Sequence, residues 1–303
     1  MSTHAPDHKG HNHGPTVYNK AFLIAIVANS AFVLFQIAYA YIANSTSLFA
    51  DAIHNLGDVL SLVLAWVATG LMKRKPTAKA TYGLKKTSIL ASLTNGILLV
   101  FTCGIIVTEA TYKLFSPTEV EALSVMVVAG IGIIINGASA ALFMRGSDDL
   151  NIRGAYLHLV YDALVSVGVV LSAGLLYLTG WLWIDPVVGL LIAAIILKGT
   201  WGLFSDSFRL IIDGVPRSIL LSDVHDFLLN QSGVEALHDL HVWAMSTQEN
   251  AMSVHLYMPD EVLSDKLRAD MVLEISKQFG IQHVTIQTER TLTDCNDACH
   301  QLT

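Results

Sequence analysis

Six runs of apolar residues, each long enough to cross a bilayer, decide what this chain can fold into. A span needs about 20 residues of helix. The runs fall at Tyr18–Ile42, Leu48–Met72, Ser88–Phe115, Val120–Met144, Gly154–Thr179 and Trp183–Phe204. In hydrocarbon the backbone must satisfy its own hydrogen bonds, so each run predicts a helix and the set predicts a six-helix bundle. The connections are short turns built on Asn44-Ser45-Thr46-Ser47, Ser116-Pro117-Thr118 and Gly180. Only 14% of the 303 residues are charged, against about 25% in soluble domains, and the charges collect after Asp206. A membrane domain followed by a soluble one is expected.

Basic residues set the orientation. Lys73, Arg74, Lys75, Lys79, Lys85 and Lys86 follow the second run, and Arg145 and Arg153 follow the fourth. Apart from Lys113, the loops of the opposite side carry no Lys or Arg, so both termini are expected in the cytoplasm. Trp181 and Trp183 then fall at the outer interface, where amphipathic rings settle. Residues 1–17 have no apolar core of a cleaved signal peptide. Cys103, Cys295 and Cys299 form no disulfide framework. No basic stripe with interleaved aromatics points to nucleic acid.

Beyond Asp213-Gly214-Val215-Pro216 the periodicity changes. Leu220, Val224, Phe227 and Leu228 repeat at helical spacing, Leu237–Met245 and Ala251–Met258 alternate, Leu263–Phe279 is helical and His283–Glu289 alternates again. This order predicts an α+β domain with helices on one face of a three-stranded sheet. The expected divisions are a His-rich tail 1–17, a transmembrane domain 18–205, a linker 206–217, an α+β domain 218–290 and a Cys-containing tail 291–303.

The chemistry sits inside the apolar runs. His54 and Asp58 in the second, and His158 and Asp162 in the fifth, are each four residues apart and so share a helix face one turn apart. An Asp at the centre of a membrane helix costs about 2.5–3.5 kcal/mol. One such pair alone is explained equally well by a hydrogen bond within its helix or by the lining of a polar cavity. Two on separate spans favour a shared divalent cation, and two imidazoles with two carboxylates match tetrahedral Zn²⁺, whereas an all-oxygen set would suit Mg²⁺, Ca²⁺ or Mn²⁺. Asp51, one turn before His54, is expected to play a structural or ligand-supporting part, with a helix-end contact or proton carriage as alternatives. Asn95, Asn136 and Asp185 are expected to join helices by hydrogen bonds.

Several ordered motifs resemble the cation diffusion facilitator family, and within it the bacterial zinc exporters. They are Ser47-Leu48-Phe49-Ala50-Asp51-Ala52-x-His54-x-x-x-Asp58, Thr81-Tyr82-Gly83-Leu84, His158-x-x-x-Asp162, Ile184-Asp185-Pro186, His238-Asp239-Leu240-His241-Val242-Trp243 and His283-Val284-Thr285-Ile286-Gln287-x-Glu289. The resemblance covers nearly the whole chain. It implies a homodimer of six-helix subunits with a ferredoxin-like, metallochaperone-like cytoplasmic domain, exporting Zn²⁺ from the cytoplasm across the inner membrane in exchange for protons. It implies a transport site on His54, Asp58, His158 and Asp162. Some relatives hold a further ion in the loop after the second span with His and Asp; Lys73–Thr87 contains neither, so no metal is expected there.

In the soluble domain His241, His255, His283 and Glu289 share the polar parity of their strands, and His238 stands at the entrance to the first. The resemblance places a cytoplasmic, regulatory Zn²⁺ on His238, His255, His283 and Glu289; ordinary surface polarity is the alternative. His4, His8, His11 and His13, and Cys295-x₃-Cys299-His300, are weaker candidates for capturing metal. A membrane metalloenzyme is disfavoured because no His-Glu-x-x-His motif is present. A membrane-anchored metal sensor remains a competing class.

Overall fold

The computed structural model of the chain describes residues 18–143, 150–260 and 262–291. Its elements run α1 Tyr18–Ile42, α2 Thr46–Met72, α3 Thr87–Phe115, α4 Ala122–Phe143, α5 Leu150–Thr179, α6 Ile184–Ile211, α7 Leu221–Leu229, β1 Ala236–Ala244, β2 Asn250–Tyr257, α8 Asp265–Phe279 and β3 His283–Glu289. Among the described residues, five helices are long and apolar enough to cross a membrane, and α1 contributes a further apolar stretch over Asn29–Ile42. Large apolar side chains such as Leu34, Phe101, Ile134, Leu171 and Ile195 stand exposed on these helices. Water would penalise such a surface and lipid favours it. The sixth helix continues to Ile211, past Phe204, because Ser205-Asp206-Ser207 ends the apolar run without breaking the helix.

The described residues divide into two compact units, one drawn from 18–59 and 106–193 and one from 60–105 and 194–291. In the first, α4 packs against α5 and α1. Gly132 of α4 makes room for this: a Cβ there would stand 3.1 Å from the Phe32 ring and 3.3 Å from Ser166 Oγ. Lys113, the exception to the charge pattern, is buried; its Nζ donates to the Asn44 carbonyl at 2.8 Å and pairs with Glu109 at 3.0 Å.

The start of α2 is held from another helix. Asp185, in the first turn of α6, is buried and accepts from Ser45 Oγ and Ser47 Oγ at 2.6 Å, from Thr46 N at 2.6 Å and from Ser47 N at 3.3 Å. The amides at a helix start have no partner of their own, and a carboxylate suits the positive end of the helix dipole. Gly189, one turn on, allows the approach, since a Cβ there would meet Thr46 Cγ2 at 2.8 Å. Asp185→Ala leaves these buried donors unpaired, at about 1–3 kcal/mol each. The expected result is a melting temperature lowered by several degrees for the detergent-solubilised protein, and an unchanged melting curve would contradict it. Asn95 and Asn136 are also buried, but Asn95 Oδ1 and Asn136 Nδ2 find no hydrogen-bond partner among the described residues.

The second unit contains the α+β domain. β1 pairs antiparallel with β2, and β2 pairs parallel with β3, in the order β1-β2-β3. Val224 and Leu228 of α7, Met271 and Ile275 of α8, and Leu240, Val242, Met252, Val254 and Leu256 of the sheet form one core. α8 is capped at both ends: Ser264 Oγ accepts from Leu267 N, and Gly280 closes it in the left-handed conformation with φ +65°. The loop before α3 meets the β1–β2 turn, where Lys85 pairs with Glu249 and Ser88 Oγ accepts from Thr247 N at 3.1 Å.

Candidate metal centre

The first cluster lies in the helical unit. α2 carries His54 and Asp58 one turn apart, and α5 carries Asp162. His54 Nε2 lies 3.3 Å from Asp162 Oδ1, across the two helices. One ligand atom from each of His54, Asp58 and Asp162 falls within 4.8 Å of the others. Asp162 is buried, and His54 and Asp58 are half-buried. An imidazole and two carboxylates at this spacing leave room for one cation at ligand distances of about 2.0–2.2 Å. His158 occupies α5 one turn before Asp162, and its side chain lies outside the described residues.

Asp51 stands outside this group of three. It is fully buried; its Oδ2 accepts from Gln36 Nε2 of α1 at 2.6 Å and from Ser166 Oγ of α5 at 3.0 Å. Asn55 Nδ2 donates to Gln36 Oε1 at 3.2 Å and extends the network. The sequence reading missed Gln36 and Ser166. A signal existed: Ser166 follows Asp162 by one turn, on the face that the α5 pair occupies.

The second cluster lies on the sheet. His238 Nε2 donates to Glu289 Oε2 at 3.1 Å, and His255 Nδ1 lies 3.0 Å from Glu289 Oε1. The two imidazole rings meet edge to face at 5.0 Å. The ligand atoms of His238, His255 and Glu289 all lie within 4.8 Å of one another. His255 Nδ1 is buried and, despite its short distance from the carboxylate, makes no hydrogen bond among the described residues. An imidazole nitrogen that lies beside a carboxylate without bonding to it is open to a metal, so the donor set suits Zn²⁺. At Glu289, burial raises the carboxyl pKa, but hydrogen bonds from His238 and Gln287 and the charges of His238 and His255 outweigh it. The group therefore sits below the ordinary carboxylate range.

His238 reaches the cluster through a bulge. It pairs with His255 whereas His241 pairs with Ser253, so β1 spends three steps where β2 spends two. Asp239 occupies the extra position with φ +54°, a conformation that Asp tolerates better than most residues. The result puts His238 and His241 on one face, though simple alternation would separate them. His241 is exposed and donates to Asp239 Oδ1 at 2.8 Å, outside the group of three. His283 is likewise apart within one chain: it pairs with Ala251, four residues along β2 from His255, and its ring meets Tyr82 edge to face at 5.4 Å. His4, His8, His11, His13, Cys295, Cys299 and His300 lie outside the described residues.

Apolar spans that turn ionisable residues toward one another define a polytopic membrane protein that handles ions. Comparison with known proteins makes the class specific. The model of the cation efflux transmembrane domain matches residues 22–212, and that of the cation efflux protein cytoplasmic domain matches residues 216–291. A cadmium, cobalt and zinc/H(+)-K(+) antiporter of Bacillus subtilis is 33% identical over 286 residues, covering 92% of each chain. The metal cation efflux system protein CzcD of Cupriavidus metallidurans is 33% identical, covering 97% of this chain and 92% of its own. The zinc transporter ZitB of Escherichia coli is 30% identical, covering 89% and 87%. The chain belongs to the cation efflux family, the cation diffusion facilitators. It is a multi-pass membrane transporter for cations and not an enzyme.

Proposed function

We propose that the protein exports Zn²⁺ from the cytoplasm in exchange for protons, with His54, Asp58, His158 and Asp162 as the transport site. The observation that supports this most is the convergence of His54, Asp58 and Asp162 from two helices within 4.8 Å. The mixed nitrogen and oxygen donors favour Zn²⁺ over Mn²⁺. Relatives named for cadmium, cobalt and zinc transport, and for zinc alone, are in keeping with a soft-to-borderline divalent cargo. In this reading the Lys-rich loop and both termini face the cytoplasm, the membrane is the inner one, and the protein works as a homodimer.

The ligands bind the ion as neutral imidazoles and ionised carboxylates, so loading displaces protons and protons returning from the far side expel the ion. Imidazole, with an ordinary pKa of about 6.5, suits that exchange. Rocking of the bundle moves the access path while the ligands travel with their helices. His238, His255 and Glu289 would hold a regulatory Zn²⁺, joined by His283 where a second copy or a rearrangement brings it near. That ion shifts the transporter only if it binds the two states unequally. The functional divisions follow the sequence: tail 1–17, bundle 18–205, linker 206–217, α+β domain 218–290 and tail 291–303.

The test is Zn²⁺ flux into proteoliposomes across a pH gradient. The wild type is expected to take up Zn²⁺ while protons move the other way, and Asp58→Ala is expected to stop both. Zinc binding without flux in the wild type would support a metal sensor instead.

A further inference from the structure

We propose that Asp51, Ser166 and Gln36 form a latch that closes the bundle between the His54–Asp58–Asp162 cluster and the N-terminal end of α2, and that the departing ion itself opens it. The inference deepens the transport reading and rests on it. α2 and α5 face each other through two successive rungs. The first joins His54 to Asp162 at 3.3 Å. The second joins Asp51, one turn nearer the start of α2, to Ser166, one turn nearer the end of α5, at 3.0 Å. Gln36 brings in α1 by donating to the same carboxylate oxygen at 2.6 Å.

This rung is the closed side of the cluster. Asp51, Gln36 and Ser166 each have 0% exposure, and their α2 neighbours Ala50, Ala52 and Ile53 are buried too. Toward the other end of α2, Asp58, Val59, Leu60 and Ser61 are all part-exposed. An ion leaving on the N-terminal side of α2 must therefore part Asp51 from Ser166. That side lies opposite the Lys-rich loop that follows α2.

The chemistry of the rung suits a switch better than a fixed brace. A buried carboxylate costs an apolar bundle stability, so its presence there calls for a use. Asp51 Oδ1 has no hydrogen-bond partner among the described residues, so the group is incompletely satisfied where it stands. That oxygen, one turn from His54 on α2, offers a departing divalent cation a carboxylate to coordinate. Coordination to the carboxylate then competes with the Ser166 and Gln36 donors and loosens the rung. Discrete partners that are either made or broken give two states rather than a gradual deformation. Asp51 acts here as a positioning residue for the exit path and not as a ligand of the loaded site. Gly132 supplies a second handle that removes no polar group, because a Cβ at that position would press on the Phe32 ring of α1 at 3.1 Å and on Ser166 Oγ at 3.3 Å.

The experiment compares Zn²⁺ flux with equilibrium Zn²⁺ binding for the full chain in proteoliposomes. His255→Ala is present throughout, so that bound Zn²⁺ reports the intramembrane site. Without the rung the far side no longer closes and fewer chains return to the cytoplasm-facing state, so Asp51→Ala and Ser166→Ala are expected to lower the maximal flux by about tenfold, while half-saturation and Zn²⁺ bound per chain stay within about twofold. Asp51→Asn should restore part of the flux, since its amide oxygen still accepts from Ser166. Gly132→Ala, which keeps every polar group, should also lower flux at unchanged binding. Unaltered flux in Asp51→Ala and Ser166→Ala would overturn the latch. So would flux and binding falling together, which would make Asp51 a support for the ligands. Absence of flux in the wild type, with its cytoplasmic cluster intact, as well as in the His255→Ala parent would overturn the transport reading itself.

Discussion

Asp162→Ala is expected to reduce Zn²⁺ flux by at least about 100-fold, because it removes the carboxylate that α5 sets 3.3 Å from His54. Loss of groups that merely support metal ligands already costs about 10–100-fold in affinity, and a direct ligand should cost more. Asp162→Asn should fail nearly as completely, since an amide keeps the shape and loses the charge that offsets the cation. The loss should be confined to the bundle. Zn²⁺ retained by the cytoplasmic cluster in the same full-length variant should be unchanged, as its ligands come from β1, β2 and β3. Flux above a tenth of the wild-type value in Asp162→Ala would place the transported ion elsewhere.

The second large effect concerns the sheet. In an Asp162→Ala background, which isolates the cytoplasmic cluster, adding His255→Ala should remove one bound Zn²⁺ per chain at micromolar metal. His255 is the member whose buried Nδ1 makes no hydrogen bond among the described residues while facing Glu289, so it has the most to gain from an ion. Binding there should also be steeply pH-dependent. Glu289 is held below the ordinary carboxylate range and stays charged through the mildly acidic window. The ion needs neutral imidazoles, so protons compete with it for these nitrogens, and affinity should fall as pH is lowered from 7 to 5.5. Without metal the sign is that of a depressed acid. The stability that Glu289 contributes is fully present above its unfolded value, about 4.3, and is lost as pH falls through its lower folded value. Zn²⁺ titrations at pH 7 and pH 5.5 check the first expectation. Equal affinity at both would remove the imidazoles from the site.

These two clusters differ in how much of them local sequence physics could reveal. The spans were legible because hydrocarbon demands a continuous apolar run whatever the neighbours do, and α1, α2 and α3 begin and end within two residues of the runs that predict them. α6 overran its expected end, since helix propensity and the hydrophobic boundary are separate properties that part at Ser205-Asp206-Ser207. The His54–Asp58 spacing was legible for the same local reason: four residues make one turn in any helix.

Composition and spacing, then, were enough for the set of elements and for which ionisable residues of a helix share a face. Both follow from fixed helical and strand periods. Tertiary structure alone decided which faces meet. It set His54 against Asp162, tied Asp51 to Gln36 and Ser166, and let Asp185 hold the start of α2 from the head of α6. It also bulged β1 at Asp239, carrying His238 across to His255 and Glu289, while the parallel register of β3 left His283 beside Tyr82. The physical reason is that period is a property of one backbone. Pairing instead depends on how several chain segments satisfy one another's charges and hydrogen bonds, and a single inserted residue or a single buried carboxylate can redirect it.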